Sequence, residues 1–237
     1  MDISIVIPAY NEAENIGSLV NEIVIQFNSE SYEIVVVDDA SKDNTATVLA
    51  ELKQHHPQLD VITQKETFGQ SIAIATGVRS AEADVIVTLD GDGQNDPADI
   101  PRMIAALSEN KMCQMVVGHR KKRRDSFWRV LSSKIANSVR SALLNDHTPD
   151  TGCGLKAFYK ASFLALPHFD HMHRFLPALI KMYGGDVMSV PVKHRARQHG
   201  QSKYGTLDRL GAGLVDLVGV SWLRLRSKKF AKKARTR

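Results

Sequence analysis

Ile3-Ser-Ile-Val-Ile-Pro8 is a short apolar run rich in β-branched residues, and behind it the stretch Asn15 to Phe27 carries Ile16, Leu19, Val20 and Ile23 at helical spacing. A strand without polar alternation is covered on both faces, so strand followed by amphipathic helix is the unit of a parallel sheet. The unit recurs. Glu33-Ile-Val-Val-Val-Asp38 repeats the strand, Asp43 or Asn44 is placed to cap a helix from Thr45 to His56, and Val61 to Gln64 is a third, shorter strand. Gly69 precedes a helical stretch to Ala81, and Asp84-Val-Ile-Val-Thr-Leu89 is a fourth strand. Asp96-Pro97 is a helix start, with Asp as cap and Pro at the first helical position. Strands are expected again over Met115 to Gly118 and Val187 to Val192, and helices over Ser126 to Leu144 and Phe175 to Tyr183. The alternation predicts an α/β fold with one mainly parallel central sheet flanked by helices. At 237 residues the chain has room for one large domain, expected over residues 1–206.

Such sheets bind ligands beyond the carboxyl ends of their strands. Those ends are polar here: Pro8-Ala-Tyr-Asn-Glu12, Asp38-Asp-Ala-Ser41 and Asp90-Gly-Asp-Gly-Gln-Asn-Asp96. One such loop is ordinary turn composition, whereas three at one sheet edge point to a site. Asp90 and Asp92, one residue apart where the chain turns, can both face a hard divalent cation, with Gln94 adding a neutral oxygen. Mg2+ or Mn2+ fits, and because these ions are commonly shared with substrate phosphates, a diphosphate-bearing substrate is implied. An EF-hand is excluded, since its sixth position is Asn95 and its twelfth Pro101. No GxGxxG follows a strand and no Walker A sequence occurs.

The formal charge of +5 is unevenly placed. Arg224 to Arg237 hold eight basic residues and no acid, and taking these from the chain's 31 leaves residues 1 to 223 with 23 bases against 26 acids, a net −3. The acidic body argues against a nucleic-acid partner. Cys113 and Cys153 form no CxxC pair and fit a reducing compartment. Asp2 directly after Met1 and the brevity of Ile3 to Pro8 predict no signal peptide. Leu207 to Leu223 is interrupted by Asp208, Arg209 and Asp216 and falls short of a bilayer span.

Ser4-Ile-Val-Ile-Pro-Ala-Tyr-Asn-Glu12, Val36-Val-Asp-Asp-Ala-Ser-Lys-Asp-Asn-Thr45 and Leu89-Asp-Gly-Asp-Gly-Gln94 resemble the successive motifs of family 2 glycosyltransferases, with the dolichyl-phosphate mannose synthases and bacterial polyprenyl-phosphate glycosyltransferases most similar. The resemblance runs from about residue 3 to residue 225 and implies a GT-A fold, a Rossmann-like single domain. It implies that Pro8, Tyr10, Glu12 and Asp39 hold the nucleotide, and that Asp90, Gly91 and Asp92 form the DxD segment for metal and diphosphate, with Gln94 a further metal ligand. Gly118-His-Arg120 resembles the segment whose arginine faces phosphate, and Trp128 to Asn137 the acceptor helix, pointing to Arg129 and Ser133 for a lipid phosphate. Asp150-Thr-Gly-Cys-Gly-Leu-Lys156 departs from the family's commoner Asp-Pro-Thr-Ser-Gly-Phe-Arg but keeps Gly154 and a basic Lys156. Arg197 to Tyr204 resembles the segment that closes over diphosphate, with Arg197 and Lys203 as contacts.

The activity implied is metal-dependent, inverting transfer of a sugar from a GDP- or UDP-sugar to a polyprenyl phosphate at the cytoplasmic membrane face. A phosphate acceptor is already largely dianionic at neutral pH and needs no general base. An acceptor hydroxyl would need one, with Asp150 the first suspect. His168, His171 and His173 lack a second ligand cluster for zinc, and His173-Arg-Phe-Leu-Pro177 resembles a family segment near the donor sugar. Residues 207–225 are expected to form an interfacial helix, and 226–237 a basic tail for an anionic membrane surface. The transmembrane segments that many relatives append are missing from this sequence, which is compatible with a separate membrane protein as partner.

Overall fold

The computed structural model describes residues 2–27, 31–120, 140–141, 143–196 and 206–227. The chain runs through β1 (Ile3–Ala9), α1 (Ile16–Gln26), β2 (Tyr32–Asp38), α2 (Thr45–His55), β3 (Leu59–Thr63), α3 (Gln70–Ser80), β4 (Val85–Thr88), α4 (Ile100–Glu109), β5 (Cys113–Arg120), β6 (Lys156–Tyr159) and β7 (Asp186–Val192). Short helices cover Lys160–Leu164 and Leu176–Met182, and a C-terminal helix covers Thr206–Arg226. The strands form one sheet in the order β3-β2-β1-β4-β6-β5-β7. All neighbours are parallel except β6, which runs antiparallel to both β4 and β5.

The expected α/β architecture is therefore present, with one strand that the sequence reading lacked. In Lys156-Ala-Phe-Tyr159 four residues follow directly on a turn-rich segment, too short to display a period of their own. Of the long helix expected over Ser126 to Leu144, only residues 140, 141, 143 and 144 are described, all helical.

Side-chain alternation along the strands builds two core layers. On one face Ile5, Ile7, Ile34, Val36 and Val87 meet Ile16, Leu19, Val20 and Ile23 of α1, Leu49 of α2, and Met103 and Leu107 of α4. The apolar stripe read in α1 is thus the buried one, each side chain contributing roughly 1.5–3 kcal/mol by leaving water. On the other face Val6, Val35, Val37 and Ile86 meet Ala73, Ile74 and Val78 of α3, Leu176 and Leu179, and Leu217 and Val220 of the C-terminal helix. Asn44 holds the N-cap position of α2 with no side-chain cap bond, and it is Asp43 whose Oδ1 accepts the Thr45 amide at 3.0 Å. Asp96 accepts the Ala98 amide at 3.1 Å and opens a 3-10 turn, Pro97–Asp99, that leads into α4.

Candidate active site

The loops leaving β1 and β2 are held in unusual backbone states. Asn11 and Ala40 both lie in the left-handed region, at φ 52° and 56°. For Ala this costs on the order of 1 kcal/mol or more, so neighbouring contacts must hold it. The two loops tie each other down: the Asn11 amide donates to Ser41 Oγ at 2.8 Å and the Lys42 amide to Asn11 Oδ1 at 2.7 Å. Glu12 is buried, its amide donating to Thr45 Oγ1 at 2.9 Å and its Oε2 accepting from Asn15 Nδ2 at 2.8 Å. Pro8 is the penultimate residue of β1, beside Val37 of β2, and Tyr10 is half-buried in the loop beyond.

Asp39 has a structural task that the sequence did not reveal. Its two carboxylate oxygens accept the Phe68 and Gly69 amides, each at 2.8 Å, immediately before α3. From there the helix start runs across the site. Gln70 Nε2 donates to Asp90 Oδ1 at 2.8 Å, and Ser71 Oγ lies 2.7 Å from His173 Nδ1. The segment Phe68-Gly-Gln-Ser71 thus joins the β2 loop, the carboxylate pair and the histidine-bearing loop. Gln70 and Ser71 were not singled out from sequence, although their place at a helix start on the carboxyl edge was a usable signal.

The antiparallel strand completes the centre. Because β6 runs opposite to β4, the residues that enter it lie at the end where β4 finishes. Lys156 pairs with Thr88, and Thr88 Oγ1 donates to the Gly154 carbonyl at 2.8 Å. Gly154 consequently packs on the Asp90 carboxylate, where a Cβ would stand 2.6 Å from Oδ1 and closer still to Cγ and Oδ2. Gly91 is less confined, its Cβ position lying 3.2 Å from the Pro8 carbonyl and 3.5 Å from Glu12 Cγ. The β1 loop and the Asp90–Asp92 turn therefore touch.

Burial pushes the Asp90 carboxyl up from its ordinary value and the nearby Asp92 charge adds to this, against Lys156, Arg120 and the Gln70 hydrogen bond. Burial likewise pushes Lys156 down, while Asp90 and Asp150 favour its charge. Lys156 Nζ donates to the Cys153 carbonyl. Asp92 Oδ1 accepts the Gln94 amide at 3.1 Å, and Gln94 Nε2 reaches the Arg195 carbonyl at 3.4 Å, leaving the amide oxygen as its side-chain acceptor. Among the described residues no three His, Cys, Asp or Glu side chains are grouped for a metal. Two crowded carboxylates with a neutral oxygen fit a hard cation that takes its remaining ligands from water and phosphate.

Arg120 closes the far side. Its Nε and Nη2 bind the two Asp150 oxygens at 2.7 and 2.8 Å, a bidentate pair with Asp150 buried. Burial pulls the Arg120 guanidinium down and the Asp150 bonds and charge more than offset it, for a net upward shift. Arg195 spans Glu22 at 2.5 Å and Asp96 at 2.8 Å, and Asn95 bridges to His194, so the segment leading towards residue 197 is fastened to this edge.

The three clustered histidines have separate surroundings. His168 lies tilted against the Phe163 ring, His171 Nδ1 meets Asp216 Oδ2 at 2.9 Å, and His173 meets Ser71. Burial, with Lys156 and Arg174, pushes the His173 imidazole well below its usual value and keeps it neutral. Pro8, Tyr10, Glu12, Asp39, Asp90, Gly91, Asp92, Gln94 and Arg120 thus all stand along the edge where β1, β2, β4 and β5 end. Arg129, Ser133, Arg197 and Lys203 lie outside the described residues.

The chain belongs to glycosyl transferase family 2, whose model matches residues 4–166. It is 33% identical over 220 residues to undecaprenyl-phosphate 4-deoxy-4-formamido-L-arabinose transferase of Edwardsiella ictaluri, covering 91% of this chain and 66% of that protein. It is 33% identical over 226 residues to dodecaprenyl-phosphate galacturonate synthase of Rhizobium johnstonii, covering 93% and 66%. The chain thus spans just under two thirds of the length of these two relatives. Its fold matches glucosyl-3-phosphoglycerate synthase from Mycobacterium tuberculosis with Mn2+, UDP and glucosyl-3-phosphoglycerate at a TM-score of 0.71, 19% identity, and 94% and 79% coverage. The same enzyme with Mg2+ and UDP gives a TM-score of 0.69 at 18% identity, again covering 94% and 79%. The GT-A fold expected from the motifs is the fold of this chain.

Proposed function

We propose that this family 2 member transfers a sugar from a GDP- or UDP-sugar to a polyprenyl phosphate, with inversion at the anomeric carbon. The observation that carries the reading is the Asp90–Asp92 turn, held by Gly154 and Gln70 and flanked by Lys156 and Arg120. Mg2+ or Mn2+ held by Asp90 and Asp92, with Gln94, would neutralise charge on the departing diphosphate. Pro8, Tyr10, Glu12 and Asp39 place the nucleoside along the β1 and β2 loops. Lys156 and Arg120 add fixed positive charge where charge develops, with no reorganisation at the moment of reaction. An acceptor phosphate oxygen attacks the anomeric carbon, its bond to the diphosphate breaks, and a nucleoside diphosphate leaves with no proton needing transfer. Arg129, Ser133, Arg197 and Lys203 are assigned to the phosphates by the motif resemblance alone.

Two observations support a phosphate acceptor over a hydroxyl. Asp150, the base first suspected from sequence, is held bidentately by Arg120 and buried. The two relatives also carry undecaprenyl phosphate and dodecaprenyl phosphate in their names. With such an acceptor the protein would act at the cytoplasmic face of a membrane, its basic C-terminus towards anionic lipid, with a separate membrane protein as a further partner. No helix among the described residues is long and apolar enough to cross a membrane.

The test is a screen of GDP- and UDP-sugars with manganese, with and without undecaprenyl phosphate. One donor is expected to be consumed faster when the lipid phosphate is added, with a lipid-linked sugar phosphate as product. Donor turnover indifferent to lipid phosphate but raised by a glycan hydroxyl would overturn the reading.

A further inference from the structure

Five large apolar side chains of the C-terminal helix stand in solvent: Leu214, Val215, Val218, Trp222 and Leu225 are 64, 73, 71, 59 and 64% exposed. At 3.6 residues per turn they fall within an arc of roughly 100°. The opposite side of the same helix is already used. Leu217 and Val220 are buried there, with Leu223 packed against the same core layer. The helix is also pinned against rolling, by Asp216 to His171 at 2.9 Å and by Arg224 Nη1 donating to the Leu143 carbonyl at 2.5 Å. The outward stripe is thus a fixed apolar surface, whereas exposed Ile25 and Leu164 stand on separate elements.

Charge decides what covers it. Trp222 and Leu225 form the C-terminal end of the stripe, and the Arg226 guanidinium lies 6.0 Å from the Trp222 ring centroid. After Asp216 the sequence contains no acid, while Lys228, Lys229, Lys232, Lys233, Arg235 and Arg237 follow Arg226. A second copy packed side by side on this stripe in parallel would bring those like charges together. An aromatic at the boundary between an apolar stripe and a cationic end suits the junction of acyl chains and anionic headgroups. We propose that this face of the C-terminal helix seats in an anionic lipid bilayer, the apolar stripe in the headgroup boundary and Arg226 beside Trp222 towards lipid phosphates. The seat deepens the lipid-acceptor reading and rests on it for its purpose. The helix reaches the site by two short links, Asp216 to His171 and, two residues on, His173 to Ser71 beside Gln70 and Asp90. A seated helix therefore holds the donor edge at one attitude to the membrane.

The experiment is flotation of the full chain with vesicles of phosphatidylcholine alone or mixed with phosphatidylglycerol, without donor or acceptor. The chain is expected to float with the mixed vesicles, and the double variant Leu214→Asp, Val218→Asp to lose at least roughly tenfold of that binding. Both side chains are exposed, so its thermal unfolding should match the parent, and Ile25→Asp on α1 should float unchanged. No flotation of the parent chain, or equal flotation of the double variant, would overturn the proposal. So would a parent dimer in light scattering that the double variant splits into monomers, since the stripe would then belong to a second copy. Failure of the acceptor reading has a different signature, because donor turnover would ignore undecaprenyl phosphate while flotation persisted.

Discussion

Replacing Gly154 by Ala tests whether the Asp90 carboxylate must sit where it does. The added Cβ would stand 2.6 Å from Oδ1 and closer to Cγ and Oδ2. A carbon tolerates an oxygen or carbon neighbour only beyond roughly 3.4 Å, so the carboxylate must retreat by about 1 Å. Gly154 itself has little freedom to yield, because its carbonyl accepts from Thr88 Oγ1 at 2.8 Å. The Gln70 bond to Oδ1, 2.8 Å in the parent chain, is lost or lengthened in the same movement. A misplacement of about 1 Å in a catalytic constellation costs on the order of a hundredfold, or about 2.7 kcal/mol of transition-state stabilisation. The assay has two arms: Mn2+-dependent binding of whichever of UDP and GDP stabilises the parent chain, and initial rates with the matching sugar donor. Both should fall steeply in Gly154→Ala, and raising manganese should recover only part of the loss. Gly152→Ala is the matched control, since its Cβ would meet Arg120 Nη2 at 3.4 Å and Asp150 Oδ1 at 3.8 Å, ordinary contacts. Retention of binding and rate within threefold by Gly154→Ala, with the fold intact, would refute the seat assigned to Asp90.

Asp39→Ala removes the acceptor of two backbone amides, and at roughly 1–3 kcal/mol for stranded donors should lower Tm by several degrees. Nucleotide affinity should fall with it, and an unchanged Tm would mean that the Phe68 and Gly69 amides find other partners. His173 supplies a pH test. Its folded value lies well below the unfolded 6.5, so below about pH 6.5 the unfolded chain takes up a proton that the folded chain refuses. That stability is complete above this range and is lost as pH falls through it. His168, also pushed down by burial, adds in the same direction. In His173→Gln the drop in Tm between about pH 7.5 and pH 5.5 should be shallower than in the parent, and equal slopes would refute the assignment.

What was legible in the sequence was what is locally encoded. The apolar run Ile3 to Pro8 and the stripe Ile16, Leu19, Val20 and Ile23 need no tertiary context to declare a covered strand and a one-faced helix. The edges of those elements were less distinct: β3 begins at Leu59 rather than Val61, and β5 spans Cys113–Arg120 rather than the shorter apolar run. β6 was invisible for a different reason. In four residues no period accumulates, and its direction is set by pairing with β4 and β5 rather than by its own side chains. Its reversal delivers Gly154 and Lys156 to Asp90, so the least legible strand does most to shape the centre.

The residues of the site divide in the same way. Asp90 and Asp92 can be nominated from sequence because two carboxylates separated by one residue at a strand end suit a hard cation. A partner is a property of the fold. Asp150 could be nominated as a base from its chemistry alone, and only the pairing of β5 with β6 shows that Arg120 holds both of its oxygens. A base must keep a lone pair directed at the acceptor proton, and two short bonds to a guanidinium compete for that role. The same bonds set the plane of the Arg120 guanidinium and favour its charge. A carboxylate that reads as a catalyst in the sequence is, in the fold, paired with an arginine, and under the proposed function this favours an acceptor that arrives already deprotonated over a hydroxyl.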